Sequence, residues 1–257
     1  MSGMENTKAI LLSAGQGSRL LPLTKDKPKC LLEIGGQSML GWQIEALQLA
    51  GVSEVVVVAG FRHELVERHI GELNPDGMTV RAHYNPFFQA GDNLSTCWLI
   101  RQEFNGHCLL INGDTLFSAD LCRSLLAAPE RPMTVTIDRK DGYDEDDMKV
   151  SLDGHHLLDI GKTLDADRVN GEAIGMIRML GEGCAAFQRV LDHQIRTDNG
   201  LKKWYLSAVQ ELAQQRQVFY HSIEGMSWGE VDDKKDLAAV KKLVSEDSFL
   251  TARAAVA

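Results

Sequence analysis

Three short apolar runs restrict the fold more than any other feature of the chain: Ala9–Ser13 (AILLS), Glu54–Ala59 (EVVVVA) and Cys108–Ile111 (CLLI). They are continuous rather than alternating, so a strand built from any of them needs cover on both faces. Amphipathic stretches stand between them. Met39–Ala50 sets Leu40, Ile44, Leu47 and Ala50 at helical spacing, Glu64–Leu73 reads as a second helix and Asn93–Glu103 as a third, with another strand at Thr79–Tyr84. Parallel strands need helical crossovers, and this alternation supplies them. The expected fold is therefore α/β, with a mostly parallel sheet between helices.

After about Pro132 the rhythm changes. Met133–Asp138, Met148–Leu152 and Leu157–Gly161 read as strands separated by turn signals, including Asp153-Gly154. Helices follow at Gly183–Ile195 and Trp204–Gln215, then a strand at Gln217–Ile223 and a last helix near Lys234–Val244. No Pro- or Ser-rich linker, low-complexity tract or repeat divides the chain. One domain over residues 1–257 is expected, with halves of about 1–131 and about 132–250, and with Thr251–Ala257 fraying.

The 257 residues carry 27 Lys plus Arg against 36 Asp plus Glu, a net charge of −9. A nucleic-acid binder would normally show a basic face, so the acidic balance argues against that class, but a local basic pocket for a small anion is not excluded. Five cysteines, an odd number without a CxxC pair, read as small buried hydrophobes in a reducing compartment. The N-terminus lacks the pattern of a signal peptide, and no apolar run approaches the ~18–20 residues of a membrane helix. A cytoplasmic protein without a membrane partner is expected; its oligomeric state is not legible.

Leu12-Ser13-Ala14-Gly15-Gln16-Gly17-Ser18-Arg19-Leu20 follows the first strand. A dinucleotide fingerprint would place a third glycine where Leu20 stands, and a P-loop would need Gly-Lys-Ser/Thr. What remains is Gly-x-Gly-Ser-Arg, eight residues, then Pro28-Lys29. Small residues after a strand let successive N–H groups of Ala14, Gly15, Gly17 and Ser18 point into one concavity suited to phosphate. Arg19 adds a forked cation and Lys29 a point charge.

The segment GQGSRLLPLTKDKPKCLLEIGG, residues 15–36, resembles the G-x-G-[ST]-R…P-K signature of nucleotidylyltransferases acting on sugar phosphates and related phosphate esters. The resemblance runs along nearly the whole chain and is strongest to the branch of bacterial choline-phosphate cytidylyltransferases. It implies a three-layer, Rossmann-like mixed sheet with helices on both faces. It also implies Mg²⁺-dependent transfer of a nucleoside monophosphate, CMP from CTP, to a small phosphate or phosphonate acceptor with release of pyrophosphate. Asp114, in Ile111-Asn112-Gly113-Asp114 after a buried strand, and Asp232, in Trp228-Gly229-Glu230-Val231-Asp232, match the metal-binding aspartates. Either could instead cap a following helix, near Ser118 or Lys234.

Arg19 is expected on the β/γ-phosphates, Lys29 near the α-phosphate, and Lys162, by resemblance, on the acceptor phosphate. Asn85, Asn93 and Ser95 are candidates for the base, and Glu172 for the acceptor. Trp204, Tyr205 and Trp228 fall in segments expected to line the acceptor side, where aromatic faces suit a quaternary ammonium. The acid-rich stretch Asp141–Asp147, with Asp147, and Glu230 would favour a cationic acceptor head such as phosphocholine. Asp144-Glu145-Asp146 also spells the D-x-D of metal-dependent glycosyltransferases, but it lies among acids where chance matches are easy. A sugar-1-phosphate nucleotidylyltransferase and a non-catalytic nucleotide-sensing domain are the other readings. The eight histidines form no HxH or HExxH pattern.

Overall fold

The computed structural model describes residues 7–73 and 75–245; the tail expected to fray lies outside the described residues. The β-branched and aliphatic runs extend as predicted. In chain order the first elements are β1 (Thr7–Ser13), β2 (Glu33–Ile34), β3 (Gln37–Ser38), α1 (Met39–Leu49), β4 (Glu54–Ala59), α2 (His63–Leu73) and β5 (Thr79–Tyr84). Next come α3 (Asn93–Leu99), β6 (His107–Asn112), β7 (Thr115–Phe117), α4 (Ala119–Ala127), β8 (Met133–Asp138), β9 (Lys149–Asp153) and β10 (His156–Gly161). The rest are β11 (Gly171–Leu180), α5 (Gly181–Gln194), α6 (Leu206–Gln214), β12 (Val218–Ser222), β13 (Trp228–Glu230) and α7 (Lys234–Ser245). This is the expected α/β architecture.

Two compact units interleave along the chain. The first takes Met1–Pro86, Ile111–Ala127 and Gly225–Ala257; the second takes Phe87–Leu110 and Ala128–Glu224. In the first unit β4 pairs in parallel with β1 and with β5. Ser13, Ala59 and Tyr84 stand side by side in register, so the three strands end together. Ligands of open α/β sheets bind outside such carboxyl ends, and the glycine loop begins there. In the second unit β8 pairs in parallel with β12 and antiparallel with β11. β10 pairs antiparallel with β9 and β12, and β9 meets the start of β11.

Two departures from the predicted elements have local causes. The third helix stops at Leu99 because Ile100 leaves helical geometry (φ −97°, ψ 16°) and Arg101–Glu103 tightens into a 3₁₀ turn. Gln188 Nε2 donates to the carbonyls of Arg101 and Phe104, which lie past the helix end. The other departure is β11, whose ten residues the sequence pattern assigns to no element. Gly175, at φ +73°, lies where its register with β8 shifts between Ala173 and Ile177, and this irregularity blurs its alternation.

All five cysteines are free and buried, and burial pushes the Cys30 and Cys122 thiols up to about 12. No helix among the described residues is long and apolar enough to cross a membrane.

A buried cluster of Leu20, Leu32, Ile34, Met39, Trp42, Leu116, Val231, Leu237, Val240 and Val244 ties the glycine loop, α1, β7 and α7 together. Gln43 on α1 is completely buried beside it, and its Nε2 donates to Asn112 O at 2.9 Å and Thr115 O at 2.8 Å. Those carbonyls bracket Gly113-Asp114, so one amide fixes the turn on which Asp114 stands. Gln43→Leu leaves both carbonyls without this donor and should destabilise the protein by about 1–3 kcal/mol. Urea denaturation with an unchanged m-value checks it.

Candidate functional site

The loop after β1 is held by its own polar groups. Thr24, fully buried, donates its hydroxyl to Gly17 O at 2.8 Å, and Gln16 Nε2 reaches Thr24 O at 3.2 Å. The N–H groups of Gly15, Gln16 and Gly17 donate to no acceptor among the described residues. Ala14 is buried, while Gly15 and Ser18 face solvent. Gly17 has a double reason to be glycine. Its φ is +78°, and a Cβ there would lie 2.9 Å from Lys29 Cβ. The lysine stem runs against the bare backbone.

Lys29 Nζ donates to Asp114 Oδ2 and to Asp232 Oδ1, each at 2.9 Å. Arg19 reaches the other oxygen of Asp232 at 2.9 Å. Burial works against the Lys29 ammonium, but the two carboxylates outweigh it and hold its pKa above the usual lysine value. Asp232 is likewise penalised by burial, yet Lys29 and Arg19 bring it below the usual carboxylate range.

The two aspartates meet through β7 and β13, an antiparallel ribbon in which Glu230 faces Thr115. Val231 N continues it to Asp114 O at 3.1 Å. Gly113 allows the close approach to β1: a Cβ there would stand 2.5 Å from Leu12 O. Neither aspartate is a helix cap. Ser118 Oγ accepts from Leu121 N at the start of α4. At α7, Asp233 Oδ1 accepts from Lys235 N and Asp236 N, while Asp236 Oδ2 accepts from Asp232 N and Asp233 N. This reciprocal cap leaves the Asp232 carboxylate for the site.

One oxygen each of Asp114, Glu230 and Asp232 lies within 4.8 Å of the others. Asp114 Oδ1 is buried with no hydrogen-bond partner. A convergent set of hard oxygens, one of them an orphaned acceptor, fits Mg²⁺. Much of Glu230 is exposed, yet desolvation of its carboxyl and the nearby Asp114 and Asp232 push it up to about 8. Expected at the acceptor, Glu230 stands instead with the metal-type acids.

The remaining predicted residues divide between the units. In the first, Asn85 is buried at the end of β5, its N–H bonded to Ala59 O at 2.8 Å, and Trp228 lies on β13 opposite Phe117. In the second, Asn93 Oδ1 accepts from Tyr205 N at 2.7 Å, and Ser95 Oγ donates to Asp92 O. Tyr205 is completely buried and presents no ring face, whereas Trp204 is 44% exposed. Lys162 Nζ stands 5.2 Å from the Trp204 ring centre and 3.2 Å from Asp146 Oδ1. Lys162 and Trp204 border a cavity of about 370 Å³, with Lys202, Lys203, Met148 and Ile160 among its lining residues. The two added lysines follow Asn199-Gly200 in the sequence, a turn signal that sequence reasoning passed over.

Glu172 and Asp147 both pair with Lys140, at 2.9 and 2.8 Å. Burial pushes Glu172 up to about 7, against the pull of Lys140. Asp147 is held below the usual range: burial is outweighed by Lys140 and by the Asp144 N–H. The acidic loop is thus tied down by lysine.

Residues 8–147 match a family model described as nucleotidyl transferase. The chain is 25% identical over 250 residues to the CTP:phosphoglutamine cytidylyltransferase of Campylobacter jejuni subsp. jejuni, covering 89% of this chain and 97% of the other. It is 22% identical over 241 residues to the choline-phosphate cytidylyltransferase of Streptococcus pneumoniae, covering 94% and 100%. Among solved structures, the inositol-1-phosphate CTP transferase from T. maritima shares the fold with a TM-score of 0.77, at 22% identity and with 94% and 96% covered.

Two outcomes are expected. Titration with Mn²⁺ in place of Mg²⁺, followed by calorimetry, should show binding weakened about tenfold or more in Asp114→Asn. The raised Glu172 pKa makes the folded state bind a proton that the unfolded state has released. Stability from this group is therefore present near pH 4.5 and lost as pH rises through about 7. Urea midpoints across that window should fall in the wild type and flatten in Glu172→Gln.

Proposed function

The chain belongs to the nucleotidyl transferase family, and within it we propose that the enzyme transfers CMP from CTP to a small phosphate or phosphonate acceptor, releasing pyrophosphate. The observation that carries this reading is the meeting of Arg19, Lys29, Asp114 and Asp232 after a glycine loop whose N–H groups at Gly15, Gln16 and Gly17 have no acceptor among the described residues. Relatives matched along nearly their whole length are named as cytidylyltransferases with phosphate-bearing acceptors. Sugar-1-phosphate transfer remains the rival chemistry, since relatives matched over about half the chain carry uridylyl and thymidylyl names.

The N–H groups of Gly15, Gln16 and Gly17 receive triphosphate oxygens. Arg19 turns from Asp232 to the β/γ-phosphates, and Lys29 moves from the aspartates toward the α-phosphate. Asp114 and Asp232, with Glu230 beside them, are then the residues that would hold Mg²⁺. Bound there, the ion supplies positive charge against the triphosphate oxygens. Asn85, at the strand end, is the first-unit candidate for the base.

Lys162 holds the acceptor phosphate. An acceptor oxygen donates an electron pair to the α-phosphorus in line, the bond to the bridging oxygen breaks, and pyrophosphate leaves with that bond's electrons. The nucleophile is already an anion at neutral pH, so no general base is needed. Rate comes from positioning and charge neutralisation.

A pyrophosphate-release assay over a matrix of CTP, UTP, GTP and dTTP against phosphate and phosphonate acceptors, with hexose-1-phosphates included, tests the reading. CTP with a non-sugar acceptor should give the highest kcat/KM, and Asp114→Ala should lower kcat about 100-fold or more while remaining folded. Near-normal turnover by that variant, or a preference for hexose-1-phosphates, would sink it.

A further inference from the structure

The cavity of the second unit carries more positive charge than one acceptor phosphate requires. Lys162, Lys202 and Lys203 line it together with apolar Met148, Ile160 and Trp204. Lys162 has one acidic neighbour, Asp146, whose side chain is 86% exposed, so water screens the pair and a ligand can displace it. Lys202 and Lys203 make no ion pair among the described residues.

The backbone beneath these two lysines is fixed. Lys202 N donates to Asn199 O at 3.0 Å, and Lys203 O accepts from Leu94 N at 3.2 Å. The turn before them packs so closely that a Cβ on Gly200 would lie 2.4 Å from Ile195 O. Two lysines that make no ion pair among the described residues thus line the cavity, on a chain whose net charge is −9. Three second-unit side chains that would receive a cationic head are already engaged. The Trp204 ring has the Lys162 ammonium near it, and Asp147 and Glu172 are engaged by Lys140.

We infer that the acceptor carries a second anionic group, of carboxylate type, on a short aliphatic body. Its phosphate or phosphonate sits on Lys162, its apolar chain lies along Met148 and Ile160, and its carboxylate meets Lys202 and Lys203. This inference rests on reading the cavity as the acceptor site.

Three phosphonates of matched length isolate the tail charge: 2-carboxyethylphosphonate, propylphosphonate and 3-aminopropylphosphonate. Each is assayed with CTP for pyrophosphate release and, without nucleotide, for binding by tryptophan fluorescence. The carboxylate compound should exceed propylphosphonate about tenfold or more in kcat/KM and in affinity, with the amine weakest. Lys202→Gln/Lys203→Gln should narrow the carboxylate-to-propyl ratio below about threefold. The wild-type ratios alone decide the matter if that variant misfolds. Turnover that is indifferent to tail charge, or best with the amine, overturns the inference and leaves the proposed activity standing. Carboxylate-selective binding with no turnover on any acceptor overturns the activity and keeps the dianion site. Neither selective binding nor turnover overturns both.

Discussion

A single ammonium group joins three parts of the chain that are far apart in sequence. Lys29 Nζ is bonded to Asp114, 85 residues on, and to Asp232, 203 residues on. Two half-buried carboxylates would repel each other at such a distance, and the shared lysine makes their approach favourable. The surrounding structure serves this contact. Gly17 leaves room for the lysine stem, Gly113 for the Asp114 turn, and the Asp233–Asp236 cap frees the carboxylate of Asp232. Leu20, Leu116 and Val231 lie buried in one cluster, each within two residues of a charged member of the site.

With Arg19 included, two cations face three acids, Asp114, Glu230 and Asp232. The ligand-free site is therefore close to electrically balanced, apart from the orphaned Asp114 Oδ1. Triphosphate binding, as proposed, exchanges partners within this set: cations move to phosphate, and the released carboxylates suit a divalent ion. A protein of net charge −9 can in this way handle a polyanion with a few placed cations. The second unit follows the same economy. Lys140 pairs with both Glu172 and Asp147, while Lys202 and Lys203, which make no ion pair among the described residues, line the cavity.

The strands of the first unit were legible because burial on both faces demands continuous apolar residues: Val55, Val56, Val57 and Val58 are all completely buried. Arg19, Lys29, Asp114 and Asp232 were legible because their residue types and spacing repeat a known signature. The short β7–β13 ribbon was not, since three-residue strands carry no period and their pairing spans more than a hundred residues. For the same reason Glu230 was assigned to the acceptor, although register sets it opposite Thr115 beside Asp114. Tyr205 and Asn93 looked like ligand contacts because ring and amide groups serve packing and binding alike. The structure buries the one and gives the other's Oδ1 to a backbone N–H.

The amino-acid order alone therefore determined the α/β class, the glycine loop and the identity of the principal charged residues. These depend on local periodicity, backbone freedom and residue chemistry, all of which are properties of short segments. Tertiary structure decided which charges are free. Lys29 is shared by two aspartates, the acidic loop is held by Lys140, and Lys202 and Lys203 stand without partners among the described residues. Electrostatic pairing acts through space over a few ångströms, so strand register and chain reversal settle it, and neighbours in sequence do not.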